Sequence, residues 1–361
     1  MKSVDLLVIG LGPAGGRAAG VAARAGLSVL AVEKKRQLGV PVQCAEFIPL
    51  PMSRLAAGEP VRVQKITGMK SFLPSGEIEQ TDFPGLMINR DEFDAAIALD
   101  AQQSGAELWL QSRLSELDPG KKNARIATPE GDVEVAYKLL IAADGPHSTV
   151  ARKLGLPDLQ TVNTRQYTVD LFQPYEDTDI WLSDDFPGGY GWLFPKGNKA
   201  NLGMGADKAF GDDLKAPLDK LHQQLVAKGL VGEVIYARTG GLIPVGGLRQ
   251  QLVLDDVLLV GDAGGFTHPI TGAGISAAVL SGEAAGQAVV DYLQGDEDAL
   301  LDYQDEMRDQ YQEALQRAVN RRQELMVVWH TPAAQRDDVM RRGWIAFDEY
   351  FAEPQQQAVV V

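Results

Sequence analysis

A single cysteine, Cys44, stands in 361 residues, which excludes an intrachain disulfide framework and any Cys-based zinc or iron–sulfur site within one chain. A reducing cytoplasm is the expected compartment. No run approaches the roughly 18 apolar residues that a membrane-spanning helix needs. The apolar stretch 4–9, behind Lys2, is too short for a secretory signal and meets a glycine-rich turn at once, so it reads as a buried strand. Positive charge is also short, with 34 Lys plus Arg against 49 Asp plus Glu and a net charge of −15. Such a surface repels phosphate backbones and anionic membrane faces. Nucleic acid is therefore excluded as a natural partner, and the chain is expected to be soluble or, at most, peripheral to a membrane. Internal repeats, low-complexity tracts and long linkers are missing too, and 45% hydrophobic with 23% charged residues is an ordinary globular composition.

What is present is a patterned chain longer than one compact core usually sustains, so two interlocked domains are expected. Residues 4–9 and 28–32 are apolar runs of the kind buried on both faces of a parallel sheet, and 13–25 between them has a small-residue helix pattern. Together they predict a βαβ unit. A helix is expected from Asp91 to about Ser104, a strand over 107–111, alternating strands near 124–128 and 133–136, and another buried run over 138–142. Between 160 and 206 the pattern shifts to short alternating strands punctuated by Pro and Gly, such as 165–172 and 201–206, which reads as an antiparallel sheet. A helix follows over 217–228 with its proline in the first turn, then a buried strand over 252–260, a small-residue helix over 274–293 and a charged amphipathic helix over 298–330. The tail from Glu353 is expected to fray.

Three glycine-rich segments punctuate this pattern. The first is Gly10-Leu11-Gly12-Pro13-Ala14-Gly15, at the strand-to-helix junction of the βαβ unit. Gly10 permits the tight turn, Gly12 lets a phosphate approach the backbone, and Gly15 lets the helix pack on the strand, while the helix N-terminus supplies free N–H groups. Glu33 ends the second strand, where a carboxylate accepts from ribose hydroxyls and repels a 2′-phosphate. The second segment is Ala143-Asp144-Gly145-Pro146-His147-Ser148. Asp144 there caps the helix that starts near Ser148, serves a ligand, or does both. Arg152 pairs with Asp144 or a phosphate, or is simply solvated. The third is Gly261-Asp262-Ala263-Gly264-Gly265, a common turn by itself, but here set between a buried strand and the Gly272-Ala273-Gly274 helix start. Asp262 is placed to bind a polyhydroxylated ribityl chain. The three in this order read as a chain folded to hold one extended dinucleotide, FAD. No second GxGxxG occurs, so a nicotinamide would visit without a Rossmann site of its own. The dinucleotide domain is then discontinuous, residues 1–160 and 250–295, with 161–249 a substrate-bearing sheet and 296–352 a helical C-terminal segment.

The fingerprint, the Asp-Gly segment and Gly-Asp-Ala together resemble the FAD-binding fold of aromatic hydroxylases and their relatives. Pro41-Val42-Gln43-Cys44-Ala45-Glu46 is similar to the Pro-x-x-Cys segment of the geranylgeranyl reductase family, and Gly189-Tyr190-Gly191-Trp192-Leu193-Phe194-Pro195 resembles its Tyr-x-Trp-x-Phe-Pro signature. Where many relatives carry Cys-Gly-Glu, this chain has Cys44-Ala45-Glu46. The resemblance implies an α/β protein with a glutathione-reductase-like FAD domain, an inserted antiparallel sheet and a helical C-terminus. It also implies FAD that is reduced by a transient NAD(P)H or a small electron carrier and then saturates prenyl double bonds in a cavity walled by the sheet.

Alternation sets Tyr190, Trp192 and Phe194 on one strand face, an aromatic lining suited to an apolar substrate or else an ordinary sheet core. An unactivated alkene has no carbonyl to polarise, so hydride addition at one carbon needs a proton at the other. The Cys44 thiol would supply that proton or fix the geometry, unless it is only a buried apolar residue. Catalytic roles are expected of Cys44, Tyr190 and Trp192. Cofactor contacts are expected from Gly10, Gly12, Pro13, Ala14, Gly15, Glu33, Lys34, Cys44, Ala45, Arg90, Asp144, Gly145, Gly261, Asp262, Gly272, Ala273, Gly274 and Ile275. The substrate pocket takes Tyr190, Trp192, Phe194 and Pro269. Glu46 orients Cys44 or water, or is a solvated loop carboxylate, and His268 tunes the flavin or is a satisfied loop histidine. Two other activities fit the same scaffold: electron transfer from NAD(P)H through FAD to a redox partner protein, and flavin hydroxylation.

Overall fold

The computed structural model describes residues 2–352 apart from 57, 59, 212 and 330; the tail from Glu353 lies outside the described residues. Its first sheet has eight strands. The strands Val257–Leu259, Gly131–Ala142, Lys2–Ile9, Val29–Val32 and Glu107–Trp109 run parallel in that spatial order. Leu6, Leu7 and Val8 are inaccessible on both faces, as the unbroken apolar run requires. Leu6 and Val8 meet the helices Pro13–Arg24 and Ile275–Leu293, while Leu7 and Ile9 meet Leu114, Ile126 and Val150 on the other side.

Register decides where the glycine segments fall. Ile9 pairs with Val32 and with Ala142, and Ala142 pairs with Leu259. Gly10, Glu33, Ala143 and the turn at Gly261 therefore leave neighbouring strands at the same carboxyl edge, the edge where ligands bind in open parallel sheets.

Two patterns resolve differently from the sequence reading. The alternating stretch near 133–136 and the buried run 138–142 are one strand, Gly131–Ala142, polar where it pairs with Asn123–Thr128 and buried where it enters the parallel sheet. The run 252–260 is a hairpin of Val253–Leu254 and Val257–Leu259, turned at Asp255, whose φ is +48°.

The second sheet has nine strands and is antiparallel except where Asp177–Trp181 runs parallel to Arg62–Phe72. Three of its strands, Phe47–Pro49, Arg62–Phe72 and Ile78–Ile88, come from residues outside 161–249. One face packs Tyr167, Leu193 and Leu202 under the helix Lys215–Ala227. The other presents Met69, Ile180, Trp192 and Phe194 to a C-terminal segment carrying Trp329, Met340, Trp344 and Phe347. That segment follows the 30-residue helix Ala299–Val328 and contains the short helices Asp337–Arg342 and Asp348–Phe351.

Small residues let the helices Pro13–Arg24 and Ile275–Leu293 approach backbone to backbone. A Cβ added at Gly282 would sit 2.2 Å from the Ala14 carbonyl oxygen. Gly282→Ala is therefore expected to push the helices apart and cost about 1–3 kcal/mol. A lower denaturant midpoint with unchanged slope is the readout, and an unshifted midpoint would contradict the packing argument.

Candidate flavin site and the aromatic wall beside it

At the carboxyl edge, Gly10 has φ +101°, and a Cβ there would lie 2.3 Å from the Ala143 carbonyl oxygen. The first and second glycine segments thus touch through a position that only glycine fills. Gly15 is pressed on the Gly10 carbonyl, where a Cβ would come within 1.9 Å. Gly12 caps the helix Pro13–Arg24 with no side chain, and space above it is open, since an added Cβ would meet nothing within 4 Å. Ala14 is buried under the third segment, against Gly261.

Glu33 accepts from the Leu11 amide at 3.0 Å and the Lys35 amide at 2.9 Å, so its carboxylate is fixed beside the fingerprint turn with acceptor capacity to spare. Lys34 is exposed. Asp144 accepts on Oδ2 from the Thr149 amide at 2.6 Å and the Val150 amide at 3.1 Å, which makes it a cap; its Oδ1 is buried without a partner. Burial pushes this carboxyl above the usual range, against the pull of those hydrogen bonds. Arg152 is exposed and turns back to the His147 and Ser148 carbonyls instead of pairing with Asp144. Space beside Gly145 is open, as at Gly12.

Asp262 accepts from Thr267 Oγ1 at 2.5 Å, and burial raises its carboxyl despite Thr267 and the nearby charge of Arg90. Gly274 closes against both Thr267 and Asp262. Gly272 lies against Ile243 with the Tyr190 hydroxyl near it, Ala273 accepts from the His268 amide, and Ile275 packs in the cluster holding Ile48 and Phe93. A bare helix N-terminus, an orphaned buried carboxylate oxygen at Asp144, and open space above Gly12 and Gly145 fit an extended dinucleotide laid along this edge.

The Cys44 loop bridges that edge to the second sheet. Cys44 Sγ accepts from the Glu46 amide at 3.2 Å, and the Cys44 carbonyl accepts from Gln166 Nε2 at 3.0 Å. Gln166 Oε1 accepts in turn from the Trp192 indole at 3.2 Å. Arg90 forks onto Asp94 through two 3.0 Å hydrogen bonds and stands close to Cys44; burial alone would lower its basicity, but Asp94 and Cys44 together outweigh that and raise it. Glu46, for which the sequence also allowed a solvated loop carboxylate, is 3% exposed. It accepts from the Arg90 amide at 2.9 Å, Lys196 Nζ at 2.7 Å and Asn201 Nδ2 at 2.9 Å. Ala45 packs with the wall that Trp192 belongs to, and its carbonyl accepts from Asn201.

The aromatic wall is as alternation predicts, with Leu193 on the opposite face. Tyr190 precedes the strand Gly191–Lys196, donates to the Thr271 carbonyl at 2.5 Å, and lies 5.6 Å from Trp192 and 4.9 Å from Trp344. Burial raises its hydroxyl well above the usual phenol range, with Cys44 nearby adding to the effect. Phe194 meets Phe47 edge-on at 6.1 Å. Pro269 is buried next to His268, whose Nδ1 faces the amides of Ile270 and Thr271 and whose Nε2 lies 3.3 Å from the Tyr350 hydroxyl. This is a satisfied loop histidine that ties the C-terminal segment to the site. Where the wall meets that segment the space is a cavity of only about 20 Å³, bordered by Tyr190, Ile270, Trp329 and Trp344.

Sequence reasoning missed Gln166, Asn201, Thr267 and the covering Trp344 and Tyr350. Asn201 was detectable as a polar residue inside the otherwise apolar run 200–206, whereas Gln166 sits among Thr164, Arg165 and Thr168 and carries no such signal. Trp344 carries no local signal.

Residues 160–242 match the geranylgeranyl reductase catalytic domain family, and 211–342 match a family described as lycopene cyclase protein. The chain is 34% identical over 332 residues to digeranylgeranylglycerophospholipid reductase 1 of Methanopyrus kandleri, covering 86% of this chain and 88% of that one. It is 32% identical to the digeranylgeranylglycerophospholipid reductase of Thermoplasma volcanium, with 86% and 83% covered. Among solved structures, a geranylgeranyl bacteriochlorophyll reductase-like protein of Thermoplasma acidophilum superposes with TM-score 0.83 at 28% identity, over 90% of this chain and 88% of the other. The fold is shared with aklavinone-11 hydroxylase, solved with FAD and aklavinone, at TM-score 0.72 and 20% identity, over 98% of this chain and 72% of that one. The site and fold define an FAD-dependent oxidoreductase. Within that class, the chain belongs to the geranylgeranyl reductase family.

Two outcomes follow for the loop. Glu46→Ala leaves Lys196 without its buried partner, a loss of about 3–5 kcal/mol for pairs of this kind. Because Cys44 is the only thiol, alkylation kinetics read the loop directly: labelling is expected to quicken at least about tenfold, and equal rates would contradict the clamp. Burial pushes His268 down to about 4 from its ordinary 6.5. The unfolded chain therefore takes up this proton first, and the stability tied to neutral His268, full above pH 6.5, is lost as pH falls from 6.5 toward 4. His268→Asn should flatten the dependence of the unfolding midpoint on pH across that window; parallel profiles would refute the assignment.

Proposed function

We propose that the protein is a prenyl-lipid reductase that adds two hydrogens across isolated carbon–carbon double bonds, with FAD held at the carboxyl edge of the parallel sheet in the glutathione-reductase-like manner. Bound and reduced, FAD supplies the hydride. The observation that carries the reading is the convergence on one loop of a lone thiol, an arginine from the flavin side and a hydrogen-bond chain to the aromatic wall.

Gly12, at the helix N-terminus that the close packing of Gly10 and Gly15 shapes, would hold the pyrophosphate, Glu33 the ribose hydroxyls, and Asp262 the ribityl chain. Asp144, with one oxygen occupied by its helix, offers the other. Cys44 donates the proton to the alkene carbon opposite the one that receives hydride, and Arg90 stands beside it to balance the charge left on sulfur. Gln166 holds the loop against Trp192, so the thiol keeps a fixed height above the wall. Tyr190, Trp192 and Phe194 present apolar surface to an apolar chain and exclude water from it. Electrons arrive from a nicotinamide or a small carrier that visits transiently. Among the described residues no helix is long and apolar enough to cross a membrane, so a lipid substrate is taken from a surface or a carrier.

The test is anaerobic. Chemically reduced holoenzyme should be reoxidised by a geranylgeranyl lipid, with product mass rising by two hydrogens per bond. Cys44→Ser should retain its flavin spectrum and lose about 10²–10⁴-fold in turnover, the usual worth of a positioned proton donor. Reoxidation by oxygen or a redox protein alone would defeat the lipid reading, and undiminished turnover in Cys44→Ser would remove the thiol from the chemistry.

A further inference from the structure

Arg165 and Arg238 stand over one tyrosine ring, and among the described residues neither has a salt-bridge partner. Tyr167 pairs in register with Arg238 across the strands Thr161–Leu171 and Val231–Thr239, and Arg165 is two residues from Tyr167 on the same face. Their guanidinium carbons lie 5.7 and 5.8 Å from the one Tyr167 ring. Among the described residues neither forms an ion pair; Arg165 gives one hydrogen bond, to the Tyr167 hydroxyl, and Arg238 none. Asp219, whose charge reaches Arg165, is engaged by that hydroxyl and by Lys215. In a chain of net charge −15, two arginines over one ring that form no salt bridge among the described residues keep guanidinium donors free for an anion from outside.

They border a cleft of about 490 Å³ that also takes in Pro41, Gln43, Thr239 and Gly240. Leu214, at the N-terminus of the 13-residue helix Lys215–Ala227, forms another part of its rim. Pro41 and Gln43 belong to the Cys44 loop. Gln43 Nε2 donates to the Gly240 carbonyl, and Gln166, beside Arg165 on the strand but on its opposite face, holds the Cys44 carbonyl. The cleft and the thiol are thus the two sides of one loop. The amides that open the helix are already taken by the Asp213 carboxylate, so the donors that face the cleft are the two guanidinium forks, a pair that matches a phosphate or pyrophosphate group.

We propose that this cleft binds a phosphate group and anchors it outside the Cys44 loop. Two ligands carry that chemistry, a phosphorylated prenyl lipid and a nicotinamide dinucleotide; the first source rests on the prenyl-lipid reading above, the second does not. The primary probe is inorganic pyrophosphate, titrated calorimetrically into the holoenzyme. Binding that weakens at least tenfold in Arg165→Gln/Arg238→Gln, and with added salt, is the expected result. No binding, or equal binding by wild type and variant, overturns the proposal. Arg238→Gln alone, at an exposed position, serves if the double variant loses its flavin.

Kinetics then separate the sources. A KM raised tenfold for a phosphorylated prenyl lipid, with kcat and the KM of the matching prenyl alcohol unchanged, supports the lipid as the ligand. A raised Kd in anaerobic flavin reduction by NAD(P)H alone supports the dinucleotide. If both constants stay unmoved, the anchoring role falls. Failure of wild type to reduce either prenyl compound while pyrophosphate still binds would count against the lipid reading and leave the phosphate site standing.

Discussion

The buried carboxylate of Glu46 is the constraint on which the site depends. One oxygen accepts from the amide that opens the helix Arg90–Gln103; the other accepts from Lys196 and Asn201, on neighbouring strands of the second sheet. A buried charge of this kind tolerates no loose partner, because its desolvation is repaid only while every donor is in place. Glu46 also has φ +72°, an unfavourable backbone conformation for a side-chain-bearing residue. The same contacts that offset desolvation hold that strain, and the strained residue sets the direction in which the Cys44 loop leaves the sheet. Thiol, arginine and aromatic wall share one position in space because one carboxylate ties their three elements together.

The parallel sheet supplies the other half of the arrangement by register alone. Segments more than a hundred residues apart meet because Ile9, Ala142 and Leu259 end in line, so the turns that follow are neighbours before any side chain acts. This part was legible in the sequence. Long apolar runs that stop at glycine locate strand ends, and strand ends in a parallel sheet are coplanar whatever the length of the crossover. The aromatic wall was legible for a related reason: alternation by two fixes a face without knowledge of what lies opposite.

What was not legible depended on the partner and not on the pattern. The strands Phe47–Pro49, Arg62–Phe72 and Ile78–Ile88 carry weak local patterns, and Arg62–Phe72 gains its place through parallel pairing with Asp177–Trp181, over a hundred residues away. Glu46 reads as a loop acid until Lys196 and Asn201 are known to face it. Arg152, at its short spacing from Asp144, invited an ion pair, yet the carboxylate was already committed to the helix start and the arginine found carbonyls instead. Trp344 lies outside every motif and covers Tyr190 only because the chain after Val328 folds back across the sheet.

That covering segment and the two arginines set the terms on which an apolar chain could reach the thiol. Beside Tyr190 the space is water-sized, and apart from Arg322 its bordering side chains are largely apolar and gain by staying in contact. A long prenyl chain therefore cannot enter between Tyr190 and Trp344 without parting them, whereas the cleft on the other side of the Cys44 loop is already open. Charge anchored there would hold one end of the ligand while apolar contacts with the wall replace those lost by the displaced tryptophan. The exchange replaces apolar contacts by apolar contacts, so its balance falls to the anchoring group, and a chain offered without one would meet the same wall with nothing to offset the first separation.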